Sequence, residues 1–204
     1  MTVALPRRGH FGAAVVVGLA ILAASSGLAV AQPVHIVAFG DSATYGWLVS
    51  RRDTYPAQLE AALRAKGYDV TVRNAGVSGA TAREALAHVD DAVPAGTDIA
   101  IVEFGTNDLH RRASLKAVRA TLTRLVRLLR ARKIEVLVAG LGRLDLSGVA
   151  NAGDAFYAQW SLPPGKYRAR DHAHFNREGY AIIVARMLPA VERLIARGRA
   201  ATAH

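Results

Sequence analysis

The stretch VHIVAFGDSATYGW, residues 34–47, decides the fold. Residues 34–39 are a short apolar run, as expected of a strand buried on both faces. The run stops at Gly40-Asp41-Ser42, where a small polar residue takes the chain out of the strand. Working outward, the same strand-to-helix handover repeats. Tyr55, Leu59, Ala62, Leu63 and Lys66 stand at helical spacing, and Gly67 ends that helix. YDVTVRN (68–74) alternates like a second strand. Thr81 and Glu84 have the spacing of a capping box and open a helix through about Ala92. DIAIVEF (98–104) reads as a third strand and IEVLVAGL (134–141) as a fourth. Between them Leu115, Val118, Leu122, Leu125, Val126 and Leu129 form an apolar stripe on a long helix. A last helix carries Tyr180, Ile183, Val184, Met187, Leu188, Val191 and Leu194 on one side, with Pro189 expected to kink it.

Strands alternating with helices imply parallel βαβ units and a sheet covered on both faces. Ligands of such sheets bind at the carboxyl ends of the strands, so chemistry is expected just after each strand. Ahead of the domain, Arg7 and Arg8 precede an apolar stretch that closes on Ala29-Val30-Ala31, the pattern of a secretory signal cleaved after Ala31. The alternative is an uncleaved N-terminal anchor. Residues 32–204 then form one domain, with the last few residues expected to be disordered. There are no cysteines, so neither disulfides nor a lipoprotein anchor is available. Removing Arg7 and Arg8 takes the formal charge from +10 to +8. A basic surface favours anionic lipid headgroups or polyanions, although arginine on solvated helix faces gives the same balance. At 6% aromatic content there is little for nucleic-acid stacking, and no nucleic-acid motif is present.

The strand ends carry a set of residues that make chemical sense together. Ser42 follows strand one, NAGVSGAT (74–81) follows strand two, and Gly105-Thr106-Asn107-Asp108 follows strand three. Asp171 and His174 stand just before the last helix. A serine needs a base to attack a carbonyl, the base needs an orienting carboxylate, and the oxyanion needs fixed donors. Singly, each signal has a plainer reading: a turn, a loop glycine, a helix cap. Their joint order resembles that of the SGNH, or GDSL-type, hydrolase family. FGDSATYGW is similar to its nucleophile block, NAGVSGAT to its glycine block, VEFGTNDL to its asparagine block, and DHAHFNREGY to its Asp-x-x-His block. The pattern is most like that of exported bacterial arylesterases and thioesterase/lysophospholipase enzymes.

The resemblance implies a three-layer αβα, flavodoxin-like sandwich on a parallel sheet of four to five strands. It implies Ser42 as nucleophile, His174 as general base and then acid, and Asp171 as the carboxylate that fixes its tautomer. The oxyanion donors would be the Ser42 and Gly79 backbone N–H groups and the Asn107 amide. Asp41 and Asp108 are expected to brace their loops. The implied function is hydrolysis of an arylester, lysophospholipid, acylated sugar or thioester through an acyl-enzyme, with no cofactor. Acyl transfer to, or deacetylation of, an envelope polysaccharide and a non-catalytic envelope binding protein are the competing readings. Two departures stand out. Phe175 occupies the place where proline commonly follows the family's histidine, so a less rigid loop is expected. Residues 142–170 show no convincing apolar strand; NAGDAFYAQW (151–160) reads as a remnant helix and LPPGKY (162–167) as a turn. His172 and His174, one residue apart, raise the question of a metal pair. On an extended segment they point to opposite faces, and neither HExxH nor paired cysteines supplies other ligands. No metal is expected, and His172 is taken as a solvent-facing neighbour.

Overall fold

The computed structural model describes Met1, residues 32–160 and residues 165–202. The signal-peptide reading of residues 1–31 and the end of the proposed disordered tail, 203–204, lie outside the described residues. Five strands build one parallel sheet: β1 (Val34–Gly40), β2 (Val70–Asn74), β3 (Ile99–Glu103), β4 (Glu135–Leu141) and β5 (Phe156–Trp160). They lie in the order β2-β1-β3-β4-β5. The chain leaves β1 to one side to form β2 and returns across it to form β3, so the strand order reverses between β1 and β3. In parallel sheets that switch point opens a crevice at the carboxyl edge. Pairing of Gly40 with Glu103 brings the ends of β1 and β3 level there.

Side chains alternating along each strand feed two cores. Ile36, Ala38, Ile101, Leu137 and Ala139 face α2 (Tyr55–Ala65) and α8 (Arg177–Thr202), packing with Leu59, Leu63, Met187 and Val191. Val37, Phe39, Val102, Val136 and Val138 face the other way. They pack with α3 (Ala82–Ala87), α6 (Leu115–Ala131) and α7 (Ser147–Ala152), through Ala85, Leu122, Leu125 and Val149. The capping box forms as its spacing predicts: Glu84 N–H donates to Thr81 Oγ and Thr81 N–H to a Glu84 carboxyl oxygen. The helix it opens is broken at His88, and α4 (Val89–Ala92) completes it. Short helices α1 (Ser42–Tyr45) and α5 (Thr106–His110) follow β1 and β3. Helix α8 runs continuously through Pro189 to Thr202, so the chain is helical almost to its end.

Three expectations are corrected. Residues 151–160 are not one helix: α7 ends at Ala152 and 156–160 form β5, paired in parallel with β4 from Leu137–Phe156 to Leu141–Trp160. An edge strand is only half covered, so it lacks the apolar run that marks its neighbours. Its Gln159 instead serves the turn after β4, donating to Gly142 O at 2.9 Å, while Tyr157 Oη accepts from Leu146 N–H. Within the stretch read as a turn, 165–167 form a 3-10 helix. Leu115 is 38% exposed, outside the stripe that Val118 through Leu129 bury. Accordingly, Leu122→Ala should destabilise the fold by about 2–5 kcal/mol. Leu115→Ala should stay within about 0.5 kcal/mol of the wild type. Urea denaturation of the two variants measures the contrast.

Candidate active site

Ser42 opens α1, directly after the carboxyl end of β1. Asp41 caps that helix: its Oδ1 accepts from Ala43 N–H at 2.9 Å, which starts the turn and aims the serine off the sheet edge. From the other side, Tyr180 of α8 donates its phenol to Ala43 O at 2.8 Å. The loop after β2 presses against this turn. A Cβ on Gly76 would lie 2.2 Å from Tyr45 N and 2.7 Å from the Thr44 carbonyl carbon, both backbone atoms. Asn74 Nδ2 donates to Thr44 O at 2.9 Å and completes the clasp.

Asp171 and His174 come from one bent loop. His172 takes a left-handed backbone (φ 58°), which bends the segment between Asp171 and His174. The Ala173 and His174 N–H groups both donate to Asp171 Oδ1 at 3.0 Å. The loop closes through an antiparallel bridge between Arg168 and Phe175. Phe175 is 1% exposed, its ring 5.4 Å from that of Tyr180. The expectation of a looser loop at this position meets a different device: packing of a buried ring holds the chain where a proline would restrict φ.

A hydrogen-bonded series results. His174 Nδ1 lies 2.6 Å from Asp171 Oδ2, and His174 Nε2 lies 2.8 Å from Ser42 Oγ. The His174 backbone N–H, first, then its imidazole and the Ala173 N–H, lower the Asp171 carboxyl to about 2. Asp171 is therefore an acceptor at neutral pH, and the proton between it and the ring belongs to Nδ1. Nε2 faces the serine hydroxyl. His172 is exposed and stands outside this series. Among the described residues, no three His, Cys, Asp or Glu side chains gather as a ligand set.

Gly79 has φ 80° and open space where a Cβ would go. Among the described residues, neither its N–H nor that of Ser42 has an acceptor. Asn107 differs: its amide donates to Asp41 Oδ2 at 2.9 Å and to Ala80 O at 3.0 Å, so both protons are committed. Asp108 Oδ2 accepts from Ala82 N–H at 2.8 Å. Arg111 donates to Gly79 O at 3.0 Å and pairs with Glu84 at 3.1 Å. The segment after β3 therefore grips the glycine loop at Gly79, Ala80 and Ala82. Beneath that loop lies a cavity of about 440 Å³, walled by Phe39, Ala75, Ala80, Ala85 and Phe104.

Sequence reasoning missed the supports: Tyr180, Arg111 and Glu103. Glu103 did leave a signal, as a lone charge inside the apolar run of β3.

The parallel sheet with helices on both faces makes this a three-layer α/β fold, with polar residues gathered at its switch point. The profile of the GDSL-like lipase/acylhydrolase family matches residues 38–178, and the chain belongs to that family. An arylesterase of Vibrio mimicus is 30% identical over 96 residues, covering 47% of this chain and 48% of that protein. The chain thus spans about half the length of this curated relative. AlinE4, an SGNH-hydrolase family esterase, is 30% identical with a TM-score of 0.60, covering 79% of this chain and 96% of that one. The psychrotrophic esterase EstA of Pseudoalteromonas sp., in a structure inhibited by monoethylphosphonate, superposes with a TM-score of 0.71. It is 18% identical, with 79% and 98% of the two chains covered, and shows the shared fold. No helix among the described residues is long and apolar enough to cross a membrane.

The two loop glycines should respond differently to a methyl group. Gly79→Ala meets no neighbour and should cost only the left-handed backbone penalty, about 1–2 kcal/mol. Gly76→Ala collides with backbone on either side of Tyr45 N and should cost more than Gly79→Ala, roughly 3 kcal/mol or above. Thermal and urea denaturation rank the two.

Proposed function

We propose that the protein is a serine esterase working through an acyl-enzyme, with Ser42 as nucleophile, His174 as base and acid, and Asp171 as the orienting carboxylate. The observation that carries this reading is the unbroken series Asp171–His174–Ser42 at 2.6 and 2.8 Å. Nε2 takes the hydroxyl proton as Oγ bonds to the ester carbonyl carbon. The carbonyl π electrons move onto oxygen, and the backbone N–H groups of Ser42 and Gly79 receive that oxyanion. His174 then returns the proton to the leaving alcohol or thiol as its bond to carbon breaks. Water, deprotonated by the same nitrogen, releases the acid and restores Ser42. Asp171 stays ionised throughout and stabilises the imidazolium. Asn107 joins the oxyanion donors by turning one amide proton away from Ala80 O while Asp41 keeps the other.

The rim supports an apolar acyl or aryl group. Tyr45 and Trp47, just past the nucleophile, are half exposed, as are Val77 on the glycine loop and Leu109 on α5. Arylesters, lysophospholipids and acylated sugars all fit such a rim, thioesters included. Arg51 and Arg52 follow Trp47 closely and favour anionic headgroups on a lipid substrate. Residues 1–31 carry the pattern of an export signal, which places the substrate outside the cytosol in this reading.

A panel of p-nitrophenyl esters from acetate to palmitate, together with a fluorophosphonate probe, tests this mechanism. Ser42→Ala should abolish labelling, and both Ser42→Ala and His174→Ala should lower kcat by about 10³-fold or more with the fold intact. Labelling of the wild type at a residue other than Ser42 overturns the assignment. Asn107→Ala should lower kcat by roughly 10²–10³-fold. A drop smaller than about threefold leaves Asn107 a strut and removes it from the donors.

A further inference from the structure

Directly behind the Ser42 turn, two carboxyl groups are buried together. Asp41 is 2% exposed and Glu103, at the end of β3, 1% exposed. Glu103 Oε2 accepts from Thr44 Oγ at 3.1 Å and lies 3.3 Å from Asp41 N. The two carboxyls thus lie buried at the ends of adjacent strands, where keeping both as anions is strongly disfavoured. Among the described residues, no lysine or arginine forms an ion pair with either. Asp41 already accepts Ala43 N–H and the Asn107 amide, donors that suit an anion. Thr44 Oγ and Asp41 N–H converge on Glu103 Oε2, which leaves Oε1 to carry a proton.

We propose that Glu103 is a positioning residue of this site, a neutral carboxylic acid whose proton, given to Asp41, fixes the Ser42 turn and the Asn107 amide together. It touches no reacting atom and acts through Asp41. The inference rests on the serine-esterase reading for its catalytic consequence and on packing alone for its protonation state. The groups facing the pair agree with one shared proton. Tyr55 of α2 and Tyr180 of α8 are phenols that burial raises, so both stay neutral. Asp108 of α5 adds negative charge, and His174 supplies positive charge when protonated. Burial, then repulsion from Asp41, pushes the Glu103 carboxyl well above its ordinary range, and burial also raises Asp41. The proton belongs to the pair, with Glu103 the deeper partner.

The sign of the pH effect follows. The folded pair keeps a proton that the unfolded chain releases above the usual carboxylate range. Stability is therefore full below that range and falls as pH rises toward the point where the folded pair ionises. Glu103→Gln keeps a donor and an acceptor in the same shape and removes this titration. Above the usual carboxylate range, the folding constant of the wild type should fall with rising pH relative to Glu103→Gln, by up to about tenfold per pH unit, read by urea denaturation. Parallel pH profiles would overturn the neutral assignment. In ester hydrolysis, Glu103→Gln should keep kcat within about threefold. Glu103→Leu should lower it roughly 10- to 100-fold with KM little changed, the scale of losing a group that orients a functional side chain. A Gln variant as impaired as the Leu variant, or a Leu variant as active as the wild type, would also overturn the proposal. Should Glu103→Leu fail to fold, the Gln variant still decides through both readouts. Should the wild type hydrolyse no ester, the esterase reading fails while the denaturation arm still judges the shared proton.

Discussion

One buried carboxylate ties the first βα turn of this protein to the third. Asp41 starts the helix that presents Ser42, holds the amide of Asn107 across the switch point, and donates its own N–H to the last carbonyl of β3. The parallel sheet makes this possible by bringing the ends of β1 and β3 level. A polar group so deep is tolerated only because each oxygen has a donor. The placement of the serine is thus set by satisfying a buried acid as much as by the course of the strand.

The serine, histidine and aspartate are assembled on two very different length scales. Asp171 and His174 are three residues apart, and ordering a single bend brings them together at little entropic cost. Ser42 and His174 are separated by 132 positions, and their contact exists only once α8 has docked on the sheet. Tyr180 is the hinge between these scales. Its ring packs on Phe175 at the base of the histidine loop, and its hydroxyl holds the carbonyl of Ala43 in the serine turn. The same side chain therefore registers one loop against the other.

β1, β3 and β4 were legible as apolar runs because both of their faces are covered, β2 by its alternation, and the long helices by their apolar stripes. β5 was not. It lies at an edge, and Gln159 and Tyr157 spend their polar groups on the turn after β4, so its pattern imitates a loop. The candidate site residues were picked out by the order of their blocks, after three strands and before the last helix, and the structure brings Ser42, His174 and Asp171 into contact. What sequence spacing does not reveal is which donors are already engaged. Asn107 was expected to donate its amide to an oxyanion, and in the structure both of its protons are in use. That follows from contacts with Asp41 and Ala80, far away along the chain.

The bent loop before α8 has an energetic corollary. It carries both Asp171 and His174 on the surface side of the fold, anchored by the Arg168–Phe175 bridge, the buried ring of Phe175, and hydrogen bonds from Ala169 N to His174 O and from Arg168 to His172 O. Residues 170–173 are exposed, and an exposed segment opens at a lower free energy than the sheet it rests on. Such sub-global opening removes both groups from Ser42 in one event and leaves the five strands paired. Heat would then silence this protein by detaching a corner of it, well before the domain itself unfolds.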